Sequence, residues 1–126
     1  MTENEVATIV VDCAYQVHKA LGPGLLESVY EVALAHELQK RRLSITRQQP
    51  IGVMYDSLTF DIGFRADIIV KDIVILELKS VETLLPVHKK QLLTYLRLTD
   101  RHLGLLINFG AAYIRDGIKR VVNGLE

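Results

Sequence analysis

Two acidic residues and a lysine stand out because they interrupt apolar segments of the sequence. Glu77 and Lys79 follow the apolar residues 74–76, and Asp67 interrupts a second apolar run ten residues earlier. If the later segment is a β-strand, its side chains alternate, so Glu77 and Lys79 emerge on the same face. Partly buried charges in such a place are unfavourable by several kcal/mol unless they are paired or coordinated. The pattern therefore predicts a polar site at the end of a strand.

The loop between the two segments decides whether Asp67 and Glu77 share this site. A two-residue loop, residues 71–72, would set Asp67 opposite Leu76 and put the two carboxylates on different faces. A three-residue loop, residues 71–73, or a β-bulge would set Asp67 opposite Glu77, with their Cβ atoms about 5 Å apart. A shared site thus predicts an odd loop or a bulge.

Two close carboxylates repel each other unless a cation lies between them. Mg²⁺ or Mn²⁺ suits such a site, because these ions take oxygen ligands, and no Cys/His spacing suggests zinc. A bound ion lowers the pKa of a ligand water, and Lys79 could position that water or take its proton. The alternative is a surface ion pair of Glu77 with Lys79, with Asp67 solvated beside a turn.

The apolar periodicity changes from helical to extended and back along the chain. Thr2 and Glu5 predict a capping box that opens a helix, and residues 22–24 end this helix. Further elements are predicted as follows: a helix over about residues 25–42, strands over 51–55, 58–70, 73–79 and 103–109, a turn at Asp56-Ser57, a helix from Pro86 to about Leu98, and a closing hairpin at Asp116-Gly117 between residues 113–114 and 118–122. This ααβββαβ order with a short β extension predicts an α/β fold, a mixed sheet flanked by helices.

Bulk composition fits one domain over residues 1–126. Lys+Arg and Asp+Glu both number 15, so the chain lacks the positive excess of a dedicated nucleic-acid binder. Cys13 lies in an apolar stripe, which predicts a buried, inert thiol. The polar, acidic start and the lack of a long apolar run predict neither a signal peptide nor a membrane span, so a reducing cytoplasm is expected.

One further segment carries a resemblance. Gly22-Pro-Gly24-Leu-Leu-Glu27-Ser-Val-Tyr30 resembles the signature of the GxxExxY proteins, a family assigned to the PD-(D/E)XK nuclease superfamily. Later stretches agree in order: Arg65-Ala66-Asp67, Val74-Ile-Leu-Glu77-Leu-Lys79, His88-x-x-Gln91-x-x-x-Tyr95-Leu96, and Gly104-Leu-Leu-Ile-Asn108-Phe109-Gly110. The resemblance implies a restriction-endonuclease-like α-β-β-β-α-β core. Ala66 stands where the superfamily name has Pro, at a position that does no chemistry.

The resemblance also implies roles for individual residues. Glu27, Asp67 and Glu77 would be metal ligands, and Glu77, Lys79 and Gln91 would form the catalytic set. The candidate substrate contacts are Tyr30, Arg65, His88 and Tyr95. Several of these residues have structural alternatives: a carboxylate at Glu27 is favoured by the helix dipole whatever its function, Tyr95 could be a boundary packing residue, and His88 a solvated residue at a helix N-terminus.

Two functions follow from these expectations. The first is a metal-dependent phosphodiesterase with DNA as substrate and Mg²⁺ or Mn²⁺ as cofactor. The second is a nuclease-fold binding or assembly module with little turnover, acting with a nucleic-acid or protein partner. The intact acid-acid-lysine set favours the first function. The neutral charge and small size favour the second function or a homo-oligomer.

Overall fold

The computed structural model describes residues 1–125. Its elements in chain order are α1 (Glu3–Leu21), α2 (Glu27–Lys40), β1 (Ile45–Tyr55), β2 (Leu58–Val70), β3 (Val74–Lys79), α3 (Pro86–Thr99), β4 (Leu103–Asn108), the short α4 (Ile114–Gly117) and β5 (Ile118–Val122). The predicted order is confirmed, since α4 is a single helical turn added before the last strand.

The first two helices begin and end where local chemistry requires it. The Thr2 side chain accepts a hydrogen bond from the Glu5 amide, and the Glu5 carboxylate accepts one from the Thr2 amide, so the predicted capping box is present. Gly22 and Gly24 have φ of 72° and 99°, which side chains other than hydrogen rarely allow. The chain therefore breaks between α1 and α2 at the predicted place.

The five strands form one mixed sheet in the order β1-β2-β3-β4-β5. β3 and β4 are parallel, and the other neighbouring pairs are antiparallel. β1 begins at Ile45, well before the predicted residue 51. Residues 46–49 are polar and exposed on this edge strand, so no apolar alternation marked them as extended.

Helices cover both faces of the sheet. α1 and α2 pack on one face, where Val74, Leu76 and Leu78 of β3 point. Ile75 points to the other face, where α3 packs through Leu92 and Leu96. The alternation predicted for β3 is thus confirmed, and its central position between two apolar layers explains its continuously apolar sequence.

The predicted closing hairpin at Asp116-Gly117 is wrong in its first strand. Residues 113–114 form no strand; Tyr113 caps the helical turn α4, and Ile114 begins this turn and is buried in the layer beneath α1. A side chain at Gly117 would collide with the main-chain oxygen of Asn108, so this glycine permits a close approach to β4. The second predicted strand is present as β5, which pairs with β4.

Cys13 lies fully buried on α1, as predicted. Burial raises the pKa of its thiol, which keeps the sulfur in its unreactive protonated form. Among residues 1–125, every helix is too short or too polar to cross a lipid bilayer.

Candidate metal centre

The loop between β2 and β3 determines that Asp67 and Glu77 meet. The antiparallel ladder pairs Val70 with Val74, and the next two pairs keep this register. The loop therefore has three residues, 71–73, and continuing the register brings Asp67 opposite Glu77. The predicted odd loop is confirmed, and the two-residue hairpin that would have separated the carboxylates is excluded.

Beyond the pair of Ile68 with Leu76, where the ladder ends, carboxylate oxygens accept the hydrogen bonds between β2 and β3. The Asp67 amide donates to Glu77 Oε1 at 3.3 Å, and the Leu78 amide donates to Asp67 Oδ2 at 2.8 Å. Each carboxylate is thus held by an amide of the opposite strand. We call this opening between β2 and β3, formed by Asp67, Glu77 and Leu78, the fork.

Glu77 is an acid in an unfavourable environment for charge. Its side chain lies in the protein interior, with the residue only 7% exposed. Burial, and secondly the negative charge of Asp67, raise the pKa of Glu77 to about 8, although the Asp67 amide and the Lys79 ammonium act in the opposite direction. This burial contradicts the alternative of a solvated surface pair between Glu77 and Lys79.

Tyr95 and Gln91 of α3 lie on the same side of the sheet as Glu77. The Tyr95 ring stacks on Phe64 of β2, with centroids 3.8 Å apart. Burial raises the pKa of Tyr95, and the charges of Glu77 and Asp67 add to this rise, which shows that the hydroxyl is close to the fork. Gln91 has a smaller opposite effect on that pKa, so it lies beside Tyr95. Tyr95 therefore both packs at the boundary of the core and borders the site.

Lys79, Arg65 and His88 differ in how closely the structure ties them to the fork. Lys79 is the last residue of β3 and is partly buried, and its charge acts on Glu77. Arg65 is exposed on β2, two residues before Asp67. His88 Nδ1 accepts the Leu85 amide at 3.1 Å and so caps the first turn of α3. This contact favours the structural alternative for His88.

Tyr30 is completely buried, and its hydroxyl is used inside the chain. It donates to the Gly22 carbonyl at 2.5 Å and accepts the Leu25 amide at 3.1 Å, while its ring stacks on Phe109. No surface of Tyr30 is exposed to a substrate. The structure thus replaces the expected substrate contact with a role in holding the loop before α2.

Glu27 is the first residue of α2 and is exposed. It borders an open groove of about 770 Å³, together with Ser80, Val81 and Gly110. Ser80 directly follows Lys79, and its hydroxyl donates to the Leu25 carbonyl at 2.6 Å. The loop before Glu27 is therefore fastened to the end of β3, but the Glu27 carboxylate makes no cluster with the fork.

The donor set of the fork fits a hard divalent cation. Within residues 1–125, no three His, Cys, Asp or Glu side chains are grouped closely enough to hold a metal ion between them. Asp67 and Glu77 alone are a sufficient protein contribution for Mg²⁺, which commonly takes one or two carboxylates and completes its shell with water and phosphate oxygens. A cation would also relieve the repulsion that raises the pKa of Glu77.

Sequence reasoning missed two residues next to the fork, Glu31 and Gln48. Gln48 Nε2 donates to Asp67 Oδ1 at 3.3 Å and to Glu31 Oε1 at 2.6 Å. One available signal was Glu31 itself, a charged residue one position after Tyr30 and three before Leu34 in the buried stripe of α2. A carboxylate in such a stripe needs a partner.

Fold and site together define a class of protein. A five-stranded mixed sheet between helices, with an acidic pair and a lysine where two central strands part, is a restriction-endonuclease-like domain. A family model described as the PD-(D/E)XK nuclease superfamily matches residues 4–121. The chain belongs to the PD-(D/E)XK nuclease superfamily.

Members of this superfamily generally use divalent metal ions, and nucleic acid is the substrate that the superfamily suggests. Searches of curated proteins and of solved structures each give no match.

Proposed function

We propose that this protein is a divalent-metal-dependent nuclease that hydrolyses phosphodiester bonds in DNA. One observation carries the proposal: the fork sets the buried carboxyl group of Glu77 beside that of partly exposed Asp67, with Lys79 on the same face of β3. Such an arrangement is unfavourable for a folded protein and useful to an enzyme that must hold a cation against a phosphate.

Each residue has a separate task in this proposal. Asp67 and Glu77 hold Mg²⁺ or Mn²⁺, and Glu27, which lies outside the fork, would join them only if its exposed side chain turned from the groove towards the ion. When bound, the ion supplies a more acidic water and stabilises charge on the phosphoryl oxygens. Lys79 orients the attacking water, and its ammonium charge stabilises the hydroxide that forms when the proton of this water passes to solvent. Gln91 orients the water and the phosphate from α3.

The GxxExxY signature supports a narrower placement within the superfamily. We infer that the chain belongs to the GxxExxY group, because the spacing of Gly24, Glu27 and Tyr30 has a physical reason. Tyr30 fastens the glycine loop from within the core, and Glu27 then begins α2 beside the end of β3. In this chain the signature thus combines an anchoring tyrosine with an exposed acid three residues before it.

Cleavage assays on site variants test the proposal. Single- and double-stranded DNA are incubated with the protein and Mg²⁺ or Mn²⁺, and cleavage rates of Glu77→Gln and Lys79→Ala are compared with wild type. We expect losses of about 10²-fold or more in both variants. Glu82→Gln and Lys71→Ala, exposed residues of the same types, are the matched controls and retain full activity. Cleavage that survives in both site variants would show that the activity comes from elsewhere.

A second function is favoured by the surface of the β1–β2 hairpin. Large apolar side chains near its tip are more than 45% exposed: Met54, Tyr55, Leu58, Phe60 and Ile62. Such a patch is typical of a binding surface, which suits a nuclease-fold assembly module with little turnover. Mn²⁺ binding that is lost in Asp67→Ala, without any cleavage by wild type, would support this module.

A further inference from the structure

Gln48 occupies an unusual position in β1. Its φ is 52°, a left-handed conformation that non-glycine residues adopt rarely and only when their surroundings fix it. The β1–β2 ladder pairs Arg47 with Ile68 and Gln49 with Ala66, and the pair between them, Gln48 with Asp67, is missing. The regular pairing of β1 with β2 is thus interrupted at one residue pair, directly beside the fork.

The Gln48 amide bridges two acids that belong to different elements. Its nitrogen donates to Glu31 Oε1 on α2 and to Asp67 Oδ1 on β2, which uses both N–H groups that an amide offers. Arg47 donates to the other oxygen of Glu31 through Nε at 3.1 Å and Nη2 at 2.8 Å. Glu31 is buried, and its carboxylate is paired with Arg47 and accepts three hydrogen bonds.

The same bridge completes the fixation of Asp67. Gln48 binds its Oδ1, and the Leu78 amide binds its Oδ2. With one donor on each oxygen, the plane of the carboxylate is set from two sides before any cation arrives. Hydrogen bonds of this kind commonly orient metal-ligating carboxylates, and their loss weakens metal binding by about 10–100-fold.

We propose that Gln48 and Glu31 are positioning residues of the metal centre. Gln48 aims the Asp67 carboxylate into the fork, and Glu31, held by Arg47, fixes Gln48. The inference rests on the proposed function, in that it takes the fork to be the metal site. It adds a contact from α2 and β1 that the acid-acid-lysine set does not contain.

The backbone of Gln48 provides a variant that separates positioning from folding. Glycine adopts positive φ without strain, so Gln48→Gly removes the bridging amide while it relaxes the main chain. Gln48 is exposed, so no core packing is lost. A second variant, Gln48→Met, keeps the length of the side chain and removes its hydrogen bonds. Gln49→Met, at the exposed neighbour, is the matched control.

The experiment measures Mn²⁺ binding to the metal-free full chain by calorimetry, together with thermal unfolding. We expect the dissociation constant for Mn²⁺ to rise about tenfold in Gln48→Gly and Gln48→Met. Gln48→Gly melts at the same temperature as Gln48→Met or higher, because both variants lose the bridge to Glu31 and only glycine relieves the positive φ, and Gln49→Met binds Mn²⁺ as wild type does. Equal dissociation constants in wild type and Gln48→Gly would overturn the inference.

The outcomes also distinguish this inference from the proposed function. A Gln48 effect on Mn²⁺ binding in a protein that cleaves no DNA supports the positioning role and contradicts the nuclease. Cleavage by wild type with unchanged Mn²⁺ binding in both Gln48 variants contradicts the positioning role alone. A wild-type protein that binds no Mn²⁺ contradicts both.

Discussion

Glu77 carries the strongest perturbation at the residue scale. Its pKa rises from 4.5 to about 8, first through burial and then through the charge of Asp67. In the metal-free protein near neutral pH, Glu77 therefore holds a proton, which removes the repulsion between its carboxyl group and that of Asp67. Such a pair is stable without a cation, yet it can accept one when the proton leaves.

We predict that Glu77 makes the metal-free protein less stable as the pH rises. The folded protein holds the Glu77 proton more tightly than the unfolded chain does, so this contribution is complete below pH 4.5 and is lost as the pH approaches about 8. Over that window, the free energy of unfolding of wild type should fall relative to that of Glu77→Gln, at a rate on the order of 1 kcal/mol per pH unit at most. Urea unfolding at several pH values measures the difference.

The control for this prediction is Glu82→Gln, at an exposed position. Its free energy of unfolding should run parallel to that of wild type across the same pH range. A constant difference between wild type and Glu77→Gln would show that the acid is not buried as described.

At the scale of elements, α3 is the part of the site whose position depends on a single small residue. Gly104 of β4 faces Leu92, and a Cβ at residue 104 would lie within 2.9–3.0 Å of the Leu92 side chain. α3 also carries Gln91 and Tyr95, which border the fork. The close approach of α3 to the sheet thus determines how far the Gln91 and Tyr95 side chains extend towards the fork.

We predict that Gly104→Ala pushes α3 away from the sheet. Overpacking of this kind destabilises a protein by about 1–3 kcal/mol. The shift should also lower the cleavage rate more than it changes substrate affinity, because Gln91 moves. Adding Leu92→Val should restore part of the stability by removing the overlapping atoms. Chemical unfolding and steady-state kinetics test both effects, and no change in stability would contradict the close contact.

The loop before α2 depends on the hydroxyl of Tyr30 in a similar way. We predict that Tyr30→Phe lowers the free energy of unfolding by about 1–2 kcal/mol, because the Leu25 amide and the Gly22 carbonyl lose their partner. Tyr15→Phe, at an exposed position, is the control and should be nearly neutral. Thermal unfolding measures both variants, and equal melting temperatures would contradict the role given to Tyr30.

The parts of the site that could be predicted from sequence are those that depend on residues close together in the chain. The alternation of β3 and the two candidate loop lengths at residues 71–73 follow from neighbouring residues. The sequence therefore allowed two registers to be stated in advance, one that brings Asp67 opposite Glu77 and one that separates them. The Gln48 bridge could not be predicted, because it needs a left-handed residue in an exposed strand and a partner on α2. The α4 turn was missed because burial of Ile114 overrides the turn signal of Asp116-Gly117.

At the scale of the whole molecule, the neutral net charge and the family membership give opposite expectations about nucleic-acid binding. The superfamily suggests a nucleic-acid substrate, whereas 15 basic and 15 acidic residues give no overall attraction to phosphate. A metal ion in the fork would supply the positive charge that attracts a phosphate group to the site. The roles of the site residues, a single domain over residues 1–126, the cytoplasmic location and a homo-oligomer stay predictions.

Metal binding should couple to the stability of the entire fold, and we predict that this coupling depends on pH. Glu77 must lose its proton to bind a cation, so Mn²⁺ affinity should fall about tenfold per pH unit below about 8. A concentration of 100 times the dissociation constant stabilises the folded state by about 2.7 kcal/mol. Mn²⁺ should thus raise the melting temperature more at pH 8 than at pH 6, and Asp67→Asn should abolish the shift.

The fork has one more consequence, for spectroscopy. The amide protons of Asp67 and Leu78 are bound by carboxylate oxygens, whereas amides along the ladder are bound by carbonyls. Each carboxylate oxygen has a second lone pair, so a bound cation fixes the carboxylates while their hydrogen bonds to the two amides remain. Deuterium exchange at these two amides, compared with Ile69 in the ladder, would therefore slow when the cation binds. The two backbone protons serve as built-in reporters of occupancy, readable by NMR without substrate or label.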